Sequence, residues 1–182
     1  HDVHAGVQQS LRANARAPAI MGELSWALWP GPVDRWDEGN RFHVKLYGGA
    51  IASASREAVL NGANLFAIQS GDEWEIIQAV HCELVGDGEY EFSDLLRGCL
   101  GSAHAMAAPH PVGSRIVALD QRLARLDVGA HEWNEALTIN VPPTGASLAN
   151  TRAAIVNVTL PHAATRQWPP AHLRARRVAG GD

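Results

Sequence analysis

Arg97 stands in Leu95-Leu96-Arg97-Gly98, at the end of a strand-like stretch that runs from Glu83 to Ser102. An arginine carries five N–H donors in a planar fork, so in such a place it is either the cation of a site or a structural clamp. As a catalytic cation it has no nucleophile or base beside it in sequence. As a clamp it can satisfy several loop carbonyls at once, with Leu95 and Leu96 burying and orienting its stem. The clamp reading is the stronger one, and it makes Leu95, Leu96, Arg97 and Gly98 structural residues.

Other residues offer chemistry of other kinds. Glu73/Glu75 and Glu89/Glu91 are alternating acids on single strand faces, where a glycosidase could use them. Such pairs are more commonly the solvated side of a strand, and they are read so here. The histidine spacings, His1/His4, His104/His110 and His162/His172, match no metal-ligand pattern, so surface or capping roles are expected and no metal or cofactor. Trp26, Trp29 and Trp36 crowd a segment with two prolines and two glycines. They either contact a glycan by stacking on sugar rings or plug the core of a loop-rich module, and the plug is the preferred reading. Cys82 and Cys99 lack a C-x-x-C spacing, and seven residues of straight strand past Phe92 would carry Cys99 about 23 Å away at ~3.3 Å per residue. A disulfide needs Cα atoms within about 7 Å, so free thiols are expected. The nucleophile-elbow, P-loop, zincin and dinucleotide fingerprints are all missing from the sequence.

The elements that must position these groups are short strands. The chain has 182 residues, 46% hydrophobic and 19% charged, with net charge −4, an ordinary globular composition. Its basic residues are scattered apart from the arginines at 174–177, which argues against a nucleic-acid site, and no apolar run approaches the roughly 18 residues of a membrane span. "RFHVKLY" (Arg41–Tyr47) alternates with Phe42, Val44 and Leu46 on one face. "REAVLNGAN" reads as one helical turn or a short strand, and "QRLARL" as a possible turn of helix. "LFAI", "EWEIIQAVHCELV", "RIVALD", "LTINVPPTG" and "AAIVNVTL" read as strands. In the long one, Trp74, Ile76 and Val80 share one face and Ile77 and Ala79 the other, which suggests cover on both sides. Gly86-Asp87-Gly88 predicts a three-residue hairpin loop with Gly88 at positive φ. Val85 should then face Glu89, Leu84 Tyr90, Glu83 Glu91 and Cys82 Phe92. With Glu83 opposite Glu91, either solvent bathes that face or a cation lies near it. The expected fold is mainly β, an antiparallel barrel or sandwich-like module of seven to nine short strands with long loops and little helix.

The order of "WDEGNRFHVKLYGGAIASAS", "LNGANLFAI", "EWEIIQAVHCELVGDGEYEFSDLLRGCLGS", "RIVALD" and "PPAHLRARR" resembles the C-terminal part of phage-tail and gene transfer agent host-specificity proteins, called megatron proteins. The resemblance spans most of residues 20–178; this chain has Gly101-Ser102 where such proteins often show Gly-Thr. It implies a connector over 1–22, a β-rich tail-protein module over 23–168, and a linker over 169–182 toward a following fibronectin-like domain. It further implies a non-enzymatic structural component of a tail tip or baseplate, in a homotrimer, aiding host attachment and DNA delivery. The implied partners are the rest of a longer chain, other tail-tip subunits and a host surface receptor. The implied location is the virion tail, after synthesis in a bacterial cytoplasm. A carbohydrate-binding module and a cell-wall glycan hydrolase are the alternatives.

Overall fold

Phe42, Val44 and Leu46, which alternation assigns to one strand face, are all buried, and around them the chain closes a barrel. The structure is a computed structural model that describes residues 13–15, 17–106, 108–143, 145–146 and 152–159. It divides into two units, His1–Leu126 and Asp127–Asp182.

The first unit holds six antiparallel strands: β1 (Met21–Leu24), β2 (Trp36–Leu46), β3 (Leu65–Ser70), β4 (Glu73–Gly86), β5 (Glu89–Cys99) and β6 (Arg115–Ala118). They close in the order β1-β2-β5-β4-β3-β6, with β6 pairing back onto β1 through Met21↔Val117, Gly22↔Ile116 and Glu23↔Arg115. The fold is thus mainly β, and of the two expected architectures it is the barrel. Phe42, Phe66 and Phe92 meet at its centre, with Phe42 and Phe92 offset-stacked at 5.0 Å and Phe66 edge-on to Phe92 at 5.1 Å. "REAVLNGAN" resolves in favour of helix. Helix α1 (Arg56–Leu60) starts where the Ser55 hydroxyl accepts the Ala58 N–H at 3.1 Å, with Glu57 in its first turn. A 3-10 turn, Ser102–Met106, follows β5.

The β4–β5 hairpin keeps most of its expected register: Cys82↔Phe92, Glu83↔Glu91 and Leu84↔Tyr90 are partners. The turn differs. Gly86, not Val85, opposes Glu89, a bulge that leaves Asp87-Gly88 as a two-residue turn with Gly88 at φ 62°. β4 is covered on both sides in its middle, where Ile77, Gln78, Ala79 and Val80 are all buried, whereas Trp74 at its start is exposed.

A second irregularity sets the site. Along β5 the buried residues run Tyr90, Phe92, then Leu95 and Arg97, so the inward side changes parity between Phe92 and Leu95. Asp94, at φ 56°, lies at that break. Without it, strict alternation would send Leu96 inward and Arg97 to solvent.

Residues 20–24 and 121–126 differ from their local readings. β1 begins inside the stretch read as a connector, because Ile20 and Leu24 are needed in the core and Gly22 in the ladder. The first unit ends at Leu126, inside the span 23–168 expected for the module. Residues 121–126 form no helix; Arg122 instead turns back to bond Asp120 through its backbone N–H, at 2.8 Å, and its guanidinium. In the second unit, β7 (Ala136–Val141) and β8 (Ala154–Thr159) form a two-stranded antiparallel ribbon after a 3-10 turn at Ala130–Glu132. The described residues therefore hold eight strands. The linker at 169–182, the arginines at 174–177, His1/His4 and His162/His172 lie outside them.

Candidate functional site

Arg97 enters the barrel interior on the inward side created at Asp94, and β4 meets it with Glu75. Arg97 Nε and Nη2 donate to Glu75 Oε1 and Oε2 at 2.8 and 2.9 Å, a two-pronged pair between fully buried side chains. Nη1 donates to the Trp29 carbonyl at 2.8 Å and reaches Asp37 Oδ2, from β2, at 3.4 Å. Asp37 in turn accepts the Asn40 backbone N–H at 3.1 Å and its side-chain amide at 2.7 Å. On the far side of Glu75, His110 Nε2 lies 2.5 Å from Oε2. Glu75 is acceptor-only when ionised, so His110 donates from Nε2. The imidazole Nδ1 is buried without a partner.

Local backbone explains why the sequence can do this. His110 and Leu28 exchange backbone hydrogen bonds at 2.9 and 3.0 Å, seating the histidine against the barrel. Gly98, at φ 59°, turns its N–H onto Glu75 Oε1 at 3.1 Å. A Cβ there would fall 2.8 Å from the Ala103 Cβ, so only glycine fits after the arginine. Leu95 is fully buried and Leu96 partly so. Burial pushes the Glu75 carboxyl upward, but hydrogen bonds from His110, Arg97 and the Gly98 N–H outweigh it and hold it down at about 2.

The partners of Arg97 differ from the several loop carbonyls expected of a clamp. It holds one loop carbonyl, and its main partners are carboxylates. Its lack of companions in sequence is reversed in space. Glu75 is not on a solvated strand face: Glu73 is exposed, whereas Glu75 is sealed, and the ion pair is what admits a charge there. His110 is neither a surface nor a capping histidine, because Glu75 draws it inside. Chemically, the four groups are spent on one another. All are buried, and their mutual bonds can lock a fold.

The tryptophans lie elsewhere. Trp26 and Trp29 are 55% and 63% exposed and do not plug the core. Trp36 is half-buried with the Arg56 guanidinium 4.7 Å from its ring centre. Arg56 also forks onto Asp94 with two bonds of 2.7 Å and bonds Glu38, which, with hydrogen bonding to Asp94 foremost, raises its affinity for the proton. The Trp26 indole lies flat on the His43 imidazole, 3.8 Å between centres and 2° between planes. His43 Nε2 is 3.3 Å from Glu91, and Arg41 Nη1 donates to the same carboxylate at 3.1 Å. The Arg41 guanidinium answers the Glu83–Glu91 opposition on the outer face. Both cysteines are free, with the buried Cys82 thiol pushed up to about 12 by loss of water and Cys99 also raised by burial. No group of three or more metal-ligating side chains occurs among the described residues.

Fold and site together define a small, mainly β barrel domain locked by a buried arginine–carboxylate–histidine clamp. The chain belongs to the family described as Rcc01698-like, C-terminal, whose model matches residues 19–117. That span coincides with the barrel from just before β1 to within β6. Among curated proteins, none matches the chain. No helix among the described residues is long and apolar enough to cross a membrane.

Proposed function

We propose that this chain is a non-enzymatic structural module of a phage or gene transfer agent tail tip or baseplate, part of a host-specificity protein that aids attachment and DNA delivery. The observation that carries this reading is the family match across nearly all of the barrel; the family's namesake is a gene transfer agent-related protein. The site supports it from the chemical side. Glu75, His110, Arg97 and Asp37, the cluster with the makings of acid–base chemistry, bond one another inside the barrel instead of facing a cleft. Such a network gives a barrel a unique interior arrangement, which suits a part held in fixed register with neighbours. In this reading the partners are the rest of a longer chain and symmetry mates in a homotrimer, and the module resides in the virion tail.

The test is electron microscopy of particles labelled with an antibody raised against residues 19–126. Label at the tail tip is the expected result. Label on the head, or none on intact or opened particles that carry the protein by immunoblot, overturns the assignment. Turnover of peptidoglycan or oligosaccharide by the purified chain, lost in a Glu75→Gln variant that still folds, would overturn the non-enzymatic reading.

A further inference from the structure

We infer that His43 is a pH-sensitive pin for the exposed Trp26: with a proton on both ring nitrogens it holds the indole flat against β2, and loss of one proton lets the indole go. The inference stands apart from the tail-tip reading, since it concerns the barrel alone.

The first reason is a count of donors. His43 Nδ1 lies 3.5 Å from Glu89 Oε1, and Nε2 lies 3.3 Å from Glu91 Oε2. Ionised carboxylates accept and do not donate, and a neutral imidazole has one N–H to give. Both contacts are satisfied at once by the doubly protonated ring alone. Glu89 is kept ionised by the Ser25 hydroxyl, 2.6 Å away, which with His43 behind it holds the carboxyl below its ordinary value. The other charges around the ring point the same way. Glu83 on β4 lies opposite Glu91 of β5. On β2 itself stand Arg41, bonded to Glu91 at 3.1 Å, and Lys45, whose ammonium is turned to Asp87. From β1, Glu23 pairs with Lys45 in register. Acids outnumber fixed cations around the ring, and a charged imidazole narrows that gap.

The second reason is what the ring carries. The Trp26 indole covers the imidazole at 3.8 Å between centres and 2° between planes, while the residue itself is 55% exposed. An imidazolium is drawn to the negative face of an indole, and a neutral ring much less so. Proton loss therefore weakens the stack and leaves one carboxylate facing a ring lone pair. The release is local. Ser25 and Trp26 give their N–H groups to the His43 carbonyl at 2.8 and 3.4 Å, so their hold runs through the same residue. Further along, Leu28 is tied to His110 and the Trp29 carbonyl to Arg97, bonds that the His43 proton does not enter. The segment thus has a fixed end at the clamp and a switchable end at the stack. An imidazole in ordinary surroundings gives up its second proton near pH ~6.5, so the pin is set on the acid side and lost as pH rises.

The 182-residue chain is followed by nuclear magnetic resonance from about pH 5 to about pH 9. The expected result is that the His43 ring C–H and Trp26 indole N–H resonances move together, with one midpoint. Above it the Trp26 amide, corrected for the intrinsic pH dependence of exchange, should lose at least about fivefold of its protection while the Leu28 amide keeps its own. In His43→Gln the Trp26 transition should vanish with Leu28 protection unchanged. With Glu89→Gln and Glu91→Gln combined, the common transition should move to lower pH, because the carboxylates that favour the charged ring are gone. The shared midpoint is read in the wild type, so it stands whatever the variants do to folding. Four results overturn the inference: a Trp26 indole indifferent to pH, a Trp26 midpoint apart from that of His43, a Trp26 transition that survives His43→Gln, or a common transition that stays put without the two carboxylates.

Discussion

Glu75 ties the stability of the barrel to pH in a defined direction. Its carboxyl is held at about 2, below its ordinary value of 4.5, so its contribution is fully present above about 4.5 and is lost as pH falls toward 2. The shift corresponds to a contribution on the order of 3 kcal/mol. Chemical denaturation across that window should show the loss in the wild type and a much flatter profile in Glu75→Gln, which starts less stable because Arg97 is left with a broken partner. An equal slope in both proteins would remove Glu75 from the acid response. Arg97→Lys probes the other half of the pair. A lysine keeps the charge but not the fork, and leaves the Trp29 carbonyl or a Glu75 oxygen unsatisfied, so it should cost ~1–3 kcal/mol, read as a lower denaturation midpoint. A variant that melts unchanged but fails to assemble would move Arg97 from clamp to contact.

Strands were more legible in the sequence than the site they build. Alternation in Arg41–Tyr47 and the apolar pairs across the β4–β5 hairpin are local patterns, and they fixed three of the hairpin partners correctly. The turn slipped by one residue because a bulge at Gly86 costs too little to mark the sequence. β1 was missed because four residues, Met21–Leu24, are too few for a period to show. The Arg97 partners could not be read at all: Glu75 is 22 residues away and Asp37 is 60, and nothing local encodes such a meeting. Only the oddity of an arginine among leucines pointed there. β1 also carries a prediction of its own. A Cβ at Gly22 would lie 2.3 Å from the Lys45 carbonyl oxygen, so backbone meets backbone where β1 joins β2. Gly22→Ala should force the strand off its partner and cost ~1–3 kcal/mol, with early loss of amide protection in β1. Wild-type stability in that variant would mean the strand can shift without penalty.

The whole chain holds two units of unequal self-sufficiency. The barrel has its own aromatic core, its own ion-pair lock and no open sheet edge, whereas a two-stranded ribbon is marginal in water by itself. A piece comprising residues 17–126 should therefore fold cooperatively, and amides of β7 and β8 should exchange faster than those of β4 and β5 in the intact chain. A piece that stays unfolded would show that the barrel needs the rest of the chain. The clamp at its centre has one more consequence, a temporal one. Its bonds join residues separated by 22, 35, 60 and 68 positions, and the ring closes only when Gly22 finds Ile116. Loops of that length must be drawn together before any of these bonds returns energy, which places the barrel among slow folders, on the millisecond-to-second scale. The full set of clamp bonds draws on β2, β4, β5 and the segments at Trp29 and His110, so it is complete only when most of the barrel is in place. Its worth is then felt on the way out, as a slow opening rate rather than a fast closing one.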